Sequence, residues 1–261
     1  MDPLWFLLVA RMLIAAGVVV GASLAVERTG PFAGAMIATL PLSAGPAYVF
    51  LAMDHGPAFL AESAVASLLA AAASAAFQVT YCAVAPHART VPSLAAALGG
   101  WAVALTIFDR FSWSLGPAVL LVLASFSLAA IVTRAKRRVA LPPIGRARPI
   151  ELVGRAAAVM ALVTAVTLAG RLLGPHAAGL FALMPVVFTS LIILVQPRAG
   201  GTVLAAVMAH GTLGMIGYGF ALGLLAVTAI PLGSTVALLL AFAACVGWNG
   251  VLIAVRRRIA L

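Results

Sequence analysis

Apolar residues in this chain do not alternate with polar ones. They run unbroken over stretches about as long as the ~20 residues that a helix needs to cross the hydrocarbon of a bilayer. The runs cover roughly 4–26, 32–53, 58–85, 91–108, 115–133, 152–170, 176–195, 202–229 and 232–255. Turn residues separate them: Glu27-Arg28-Thr29-Gly30-Pro31, Asp54-His55-Gly56-Pro57, Pro86-His87, Asp109-Arg110, Gly174-Pro175 and Gln196-Pro197-Arg198. Only Ile230-Pro231 parts the last two runs. The pattern predicts an all-α polytopic membrane protein of about nine transmembrane helices. The first run has no basic segment before it and is too long for a signal-peptide core, so it reads as a true helix.

Composition agrees. A chain that is 64% hydrophobic and 8% charged has too little polar surface to clothe a globule in water. The formal charge of +10 does not point to nucleic acid, because the basic residues gather where membrane topology accounts for them. Arg134, Lys136, Arg137, Arg138, Arg146 and Arg148 follow the fifth run, and Arg256, Arg257 and Arg258 follow the ninth. Nine crossings put both clusters in the cytoplasm together with Arg28, Arg89 and Arg198, and leave the N-terminus outside. An even count would strand one cluster on the wrong side. A single lysine among 16 basic residues, and no targeting segment, favour a multi-pass protein of a bacterial plasma (inner) membrane. Cys82 and Cys245 lie in apolar runs without a CxxC partner and read as packing residues.

The chain also matches itself at an offset of 144 positions, which brings Gly30-Pro31 onto Gly174-Pro175, Arg11 onto Arg155, Pro41 onto Pro185 and Gly56 onto Gly200. Helices one to four (1–114) then correspond to helices six to nine (150–261), with helix five and a basic loop (115–149) between them. Four crossings return to the starting side and the fifth moves the second copy across, so the expected arrangement is a 4+1+4 inverted-topology repeat. Inverted repeats of this kind build many secondary transporters, with the site near the bilayer midplane between the halves.

Ala178-Gly179-Leu180, with Pro185 five residues beyond, resembles the second helix of the GlpM-like small four-helix membrane proteins; Gly34 and Pro41 form a looser version with one extra residue. The resemblance spans about one helix per half. It implies two such units fused through a linking helix, and bears on architecture more than on chemistry.

Helix two contains Pro41-Leu42-Ser43-Ala44-Gly45-Pro46, and helix seven contains Pro185. A proline inside a helix lacks the amide hydrogen and crowds the carbonyl four residues earlier, so the carbonyls of Ile37, Leu42 and Phe181 need other partners. Paired interruptions at matching depths mark a candidate substrate site, with Ser43, Thr189 and Ser190 as nearby hydroxyl donors. Simple kinks satisfied by neighbouring helices are the structural alternative.

Charged and titratable groups at membrane depth are few. Arg11, about two turns inside helix one, is an anion-facing candidate or a partner for Glu62, although its long stem also allows it to reach the interface. Arg155 has Glu151 four residues before it, an ordinary ion-pair spacing. His210 sits near mid-bilayer at ~1.5 Å per residue and, with Glu62, is the candidate for proton coupling; a neutral histidine bonded to the backbone is the plainer reading. Ser63, Ser67, Ser74, Gln78 and Tyr81 share one face of helix three, which should look toward protein or water. Gly211, Gly214, Gly217 and Tyr218 on helix eight read as close helix packing, and Asn249 as part of a polar network or an interhelical bond.

No HExxH, GxSxG or phosphate loop is present, and the acids and histidines are scattered, so no catalytic residues, metal site or cofactor are assigned. The sequence points to a secondary transporter or flippase for a small solute, a modest anion or a lipid-linked molecule. A non-catalytic accessory or assembly subunit of a membrane complex is the alternative, and an intramembrane lipid-modifying enzyme follows behind. Membrane lipids and the small-molecule or lipid-linked substrate are the expected partners, with homo-oligomerisation left open.

Overall fold

The computed structural model describes residues 9–18, 20–21, 39–41, 44–139 and 148–259. Among these every regular element is helical. They are α1 (Val9–Val18), α2 (Ala44–Asp54), α3 (Pro57–Val84), α4 (Thr90–Phe108), α5 (Leu115–Val132), a short 3-10 turn (Lys136–Arg138), α6 (Pro149–Ala182), α7 (Val186–Ala199) and α8 (Gly201–Ile259). Five of them, α3, α4, α5, α6 and α8, are long and apolar enough to cross a membrane.

Two of those five are not straight. Gly174 interrupts α6 with φ 85°, and Gly233 interrupts α8 with φ 79°. Both lie in the left-handed region, where a Cβ is strained and glycine is not. At the first break Pro175 opens the next helical segment, where its missing amide hydrogen costs nothing. At the second, the break falls two residues beyond the Pro231 that the sequence marks, because the turn needs the glycine's backbone freedom more than the proline's stop.

α3 is the centre of the assembly. It packs most extensively on α8 and also lies against α4, α6 and α5. Every residue from Ala66 to Ala75 is buried, which small side chains permit by letting neighbouring backbones close in on all sides. The outer helices are the reverse, with Val103, Ile107, Leu120, Leu128, Leu172 and Leu239 at least half exposed. Polar side chains lie inside: Ser63, Ser67, Gln78 and Thr212 are 0% exposed. A polar interior inside an apolar exterior is the distribution of a membrane-embedded protein.

Contacts between turns sort them into two groups. Asp54 meets Arg171, and Asp109 meets His176 across 2.6 Å, which gathers the turns near residues 54, 109 and 174. Gln196 reaches the carbonyl of Ala88, Glu151 pairs with Arg198, and Gly201 lies against the Ala85 carbonyl, which gathers the turns near 86, 150 and 200. Each of α3, α4 and the first part of α6 begins in one group and ends in the other.

Candidate functional site

Thr39, Leu40 and Pro41 are non-helical, and α2 starts only at Ala44. The Gly45 amide donates to the Pro41 carbonyl at 2.7 Å, so the proline's carbonyl enters the helix that its nitrogen cannot continue. Leu183, Met184 and Pro185 form the second break, between α6 and α7. There the Phe181 carbonyl, freed by Pro185, accepts from the Met184 amide at 3.1 Å, while Thr189 donates to the Pro185 carbonyl at 2.9 Å. Ile37, Leu42 and Ser43 lie outside the described residues.

Both breaks open on one cavity of about 50 Å³. Its lining includes Thr39 and Leu183, Leu40 and Met184, Pro41 and Pro185, Ala44 and Phe188, and Ser74 and Tyr218. Each of these five pairs is separated by 144 positions. Two segments remote in sequence therefore meet through corresponding residues.

The cavity's polar side chains are Thr39, Ser74 and Tyr218. Ser74 is satisfied within its own helix by the Ala70 carbonyl at 3.0 Å. Thr39 donates to Asn249 Oδ1 at 3.1 Å, and Asn249 Nδ2 donates to the Cys245 carbonyl at 3.0 Å, tying the first break to the second part of α8. Tyr218 is 5% exposed. Thr189 and Ser190, expected as donors to the site, do not contribute to this lining; Ser190 Oγ donates to the Val187 carbonyl on its own helix at 2.8 Å. Thr39 and Tyr218 take the place that sequence reasoning gave to them. The signal for Tyr218 was its correspondence with Ser74 at the repeat offset.

The polar face of α3 holds α2, α6 and α7 in position around the breaks. Ser67 Oγ donates to the Gly179 carbonyl at 2.7 Å and also bonds the Tyr48 hydroxyl at 2.7 Å. Gly179 is required for this approach, because a Cβ there would run into the Ser63 carbonyl and the Ala66 methyl. At the other end Tyr81 donates to Gln196 Oε1 at 2.8 Å. Gln78 is fully buried, and neither atom of its amide has a partner among the described residues.

Arg11 is 4% exposed and does not pair with Glu62, which is exposed. Its two terminal nitrogens each donate to an Asp54 oxygen at 2.6 Å, and its guanidinium carbon lies 5.4 Å from the centre of the Phe50 ring. The end of α2 lies level with Arg11, an arrangement that residue spacing within one helix cannot reveal. The Arg11 hydrogen bonds hold the Asp54 carboxyl below the usual carboxylate range, against the opposing effect of its partial burial. Arg171 adds a second, more exposed guanidinium at 3.3 Å. Glu151 reaches Arg198 on α7 at 2.6 Å, an interhelical pair where spacing suggested one with Arg155 on the same helix. Arg11–Asp54 joins α1 to the end of α2, and Glu151–Arg198 joins the start of α6 to the end of α7, with the charges exchanged.

His210 is buried at 7% exposure, on the third turn of α8. It is not among the residues that line the cavity between the breaks. A second and larger recess of about 570 Å³ lies beside that cavity and shares Pro41 and Tyr218 with it. Its walls come from α1, α2 and both parts of α8, and are almost wholly apolar. Cys82 and Cys245 are free and buried, and among the described residues no three of His, Cys, Asp or Glu are grouped to hold a metal ion. Comparison with protein-family models, with curated proteins and with solved structures finds no match to the chain.

Proposed function

We propose that this protein is a secondary transporter or flippase of the plasma membrane, built as nine crossings in a 4+1+4 inverted repeat with its substrate path at the proline-broken helices. The observation that carries the reading is the cavity whose lining pairs Pro41 with Pro185, and Ser74 with Tyr218, at one constant offset. Five such pairs at a single space support the duplication. Counting the breaks at Gly174 and Gly233 as reversals, the helices supply nine crossings: α1, the broken second helix ending in α2, α3, α4, α5, the two parts of α6 with α7 continuing the second, and the two parts of α8. The 55 residues from Gly201 to Val255 would otherwise span ~80 Å, far more than a ~30 Å hydrocarbon core.

The two groups of turns support the orientation. Arg89, the Lys136–Arg138 turn, Arg148 and Arg198 go with the group that would face the cytoplasm, leaving the N-terminus outside and the C-terminus inside. At about 50 Å³ the central space holds a water or so and no larger solute, as in an occluded state of an alternating-access cycle. Broken helices give such a cycle its moving parts, because freed backbone groups are tolerated at membrane depth where they border a cavity. His210 and Glu62 remain the candidates for proton coupling.

Single cysteines at Ser74 and at Tyr218, in a chain with Cys82 and Cys245 replaced, test the reading in sealed vesicles with a membrane-impermeant maleimide. A transporter labels from either face in turn, and the two rates move in opposite directions when a compound that raises its melting temperature is added. Labelling confined to one face under every condition would remove the alternating-access reading.

A further inference from the structure

The 570 Å³ recess is open to the side, as a lipid-facing groove is, with Val49, Met53, Leu239 and Phe242 at 45% to 65% exposure along it. Its size falls within the ~300–1,000 Å³ of pockets that take drug-sized ligands. The walls agree on a direction. On α1, Ile14 and Val18 follow Arg11 by one and two turns; on α2 the wall runs back from Met53, next to Asp54, to Pro46 and Pro41. The second part of α8 enters it with Ser234 and Thr235, just past the Gly233 break, and leaves it at Phe242. The first part of α8 contributes Tyr218 and, two turns further on, Leu225.

One end of the wall therefore adjoins a positive cluster. Arg11 and Arg171 share the single carboxylate of Asp54, which follows Met53 of the wall, and this leaves one positive charge in excess among the three. The other end is deep, and its polar residues among those described are Tyr218, 5% exposed, and Tyr48, whose hydroxyl bonds Ser67.

From this polarity we infer that the groove binds an anionic phospholipid from the bilayer, with its phosphate at the Arg11–Asp54–Arg171 end and one hydrocarbon chain laid along α2 toward Pro41 and Tyr218. The apolar walls match the chain, the excess positive charge matches the head, and the open side faces the phase in which such lipids are dissolved. This deepens the transport reading by naming a substrate class, and rests on it only for the further claim that the lipid is cargo. A groove that adjoins the central cavity through Pro41 and Tyr218 gives the lipid contact with the moving breaks.

The full-length protein in detergent, titrated with phosphatidylglycerol and separately with zwitterionic phosphatidylcholine and read by native mass spectrometry, tests the site. The phosphatidylglycerol adduct is expected to persist at about tenfold lower lipid concentration. Gly45 lines the groove and has only the Pro41 Cβ near its own Cβ position, at 3.9 Å, so Gly45→Leu narrows the groove without a backbone clash. It should cut occupancy by both lipids with the melting temperature kept, while Arg171→Gln should remove the preference between them and keep chain binding. Equal occupancy by the two lipids in the native protein, or occupancy untouched by Gly45→Leu at unchanged stability, overturns the proposal. Translocation of a fluorescent phosphatidylglycerol in proteoliposomes separates the two claims. Binding without translocation leaves the groove a resident lipid site and removes lipid as the cargo; absence of binding defeats the groove alone and leaves the alternating labelling of Ser74 and Tyr218 to decide transport.

Discussion

Pro41 and Pro185, 144 positions apart in the chain, line the same small cavity. Pro41 lies three residues before the start of α2, and Pro185 sits where α6 stops and α7 begins, so Pro185 is not a simple bend in a continuous rod. Replacing either with alanine restores an amide hydrogen and lets the break close toward helix. Pro185→Ala is expected to leave the melting temperature equal or higher while abolishing the alternating accessibility of Ser74 and Tyr218. A variant that keeps full accessibility changes would show that the break is not a moving part.

Gly179 marks the tightest approach of α6 to α3. Gly179→Ala must push the two helices apart, since its Cβ meets the Ser63 carbonyl and the Ala66 methyl, and the Ser67 hydrogen bond to the Gly179 carbonyl is lost with the separation. The expected cost is about 1–3 kcal/mol, as for overpacking in a filled core. Gly56→Ala, with nothing near its Cβ and a φ of −75°, is the matched control and should change stability little. Unfolding in mixed micelles measures both.

The Arg11–Asp54 pair predicts an acid-sensitive stability. Since the folded carboxyl titrates below its unfolded value of about 3.9, the pair contributes fully above that value and its contribution is lost as pH falls through the folded one. Asp54→Asn should remove this part of the pH dependence. It should also lower stability at neutral pH by roughly 3 kcal/mol, because Arg11 is then left buried without its carboxylate. Thermal melts between pH 3 and pH 7 on both proteins check the slope; parallel curves would show that the pair does not govern acid stability.

Orientation is checked at the turns. Single cysteines replacing His87 or Arg138 are expected to react only from the cytoplasmic face, and those replacing Arg110 or Leu172 only from outside, with every position exposed in the folded protein. The reverse pattern would invert the protein, and a mixed pattern would break the nine-crossing count.

The helices and the proline breaks were legible because each is written locally: an apolar run of membrane length, or a residue with no amide hydrogen. What the breaks touch was not. The sequence offered Glu62 to Arg11 and Arg155 to Glu151, whereas Arg11 bonds Asp54 and Glu151 bonds Arg198. Interhelical partners depend on which helices pack and at what level, and spacing along one helix carries no such information. Tyr218 is a similar case. On its own helix it belongs to a glycine-rich face suited to packing, and only the meeting of α2 and α7 against α3 and α8 turns it toward the space between the breaks. Gly233 rather than Pro231 reverses α8 because the turn selects for positive φ, which no apolar pattern reports.

The narrowness of the space between the breaks reaches beyond the protein itself. A membrane that stores energy as ion gradients tolerates interrupted helices only if they do not connect its two sides, and here Leu183, Phe188 and Met215 crowd a gap with room for little more than one water. A space of this size does not by itself hold a water file long enough to relay protons. Vesicles carrying the resting protein should therefore hold a pH gradient as well as vesicles without it.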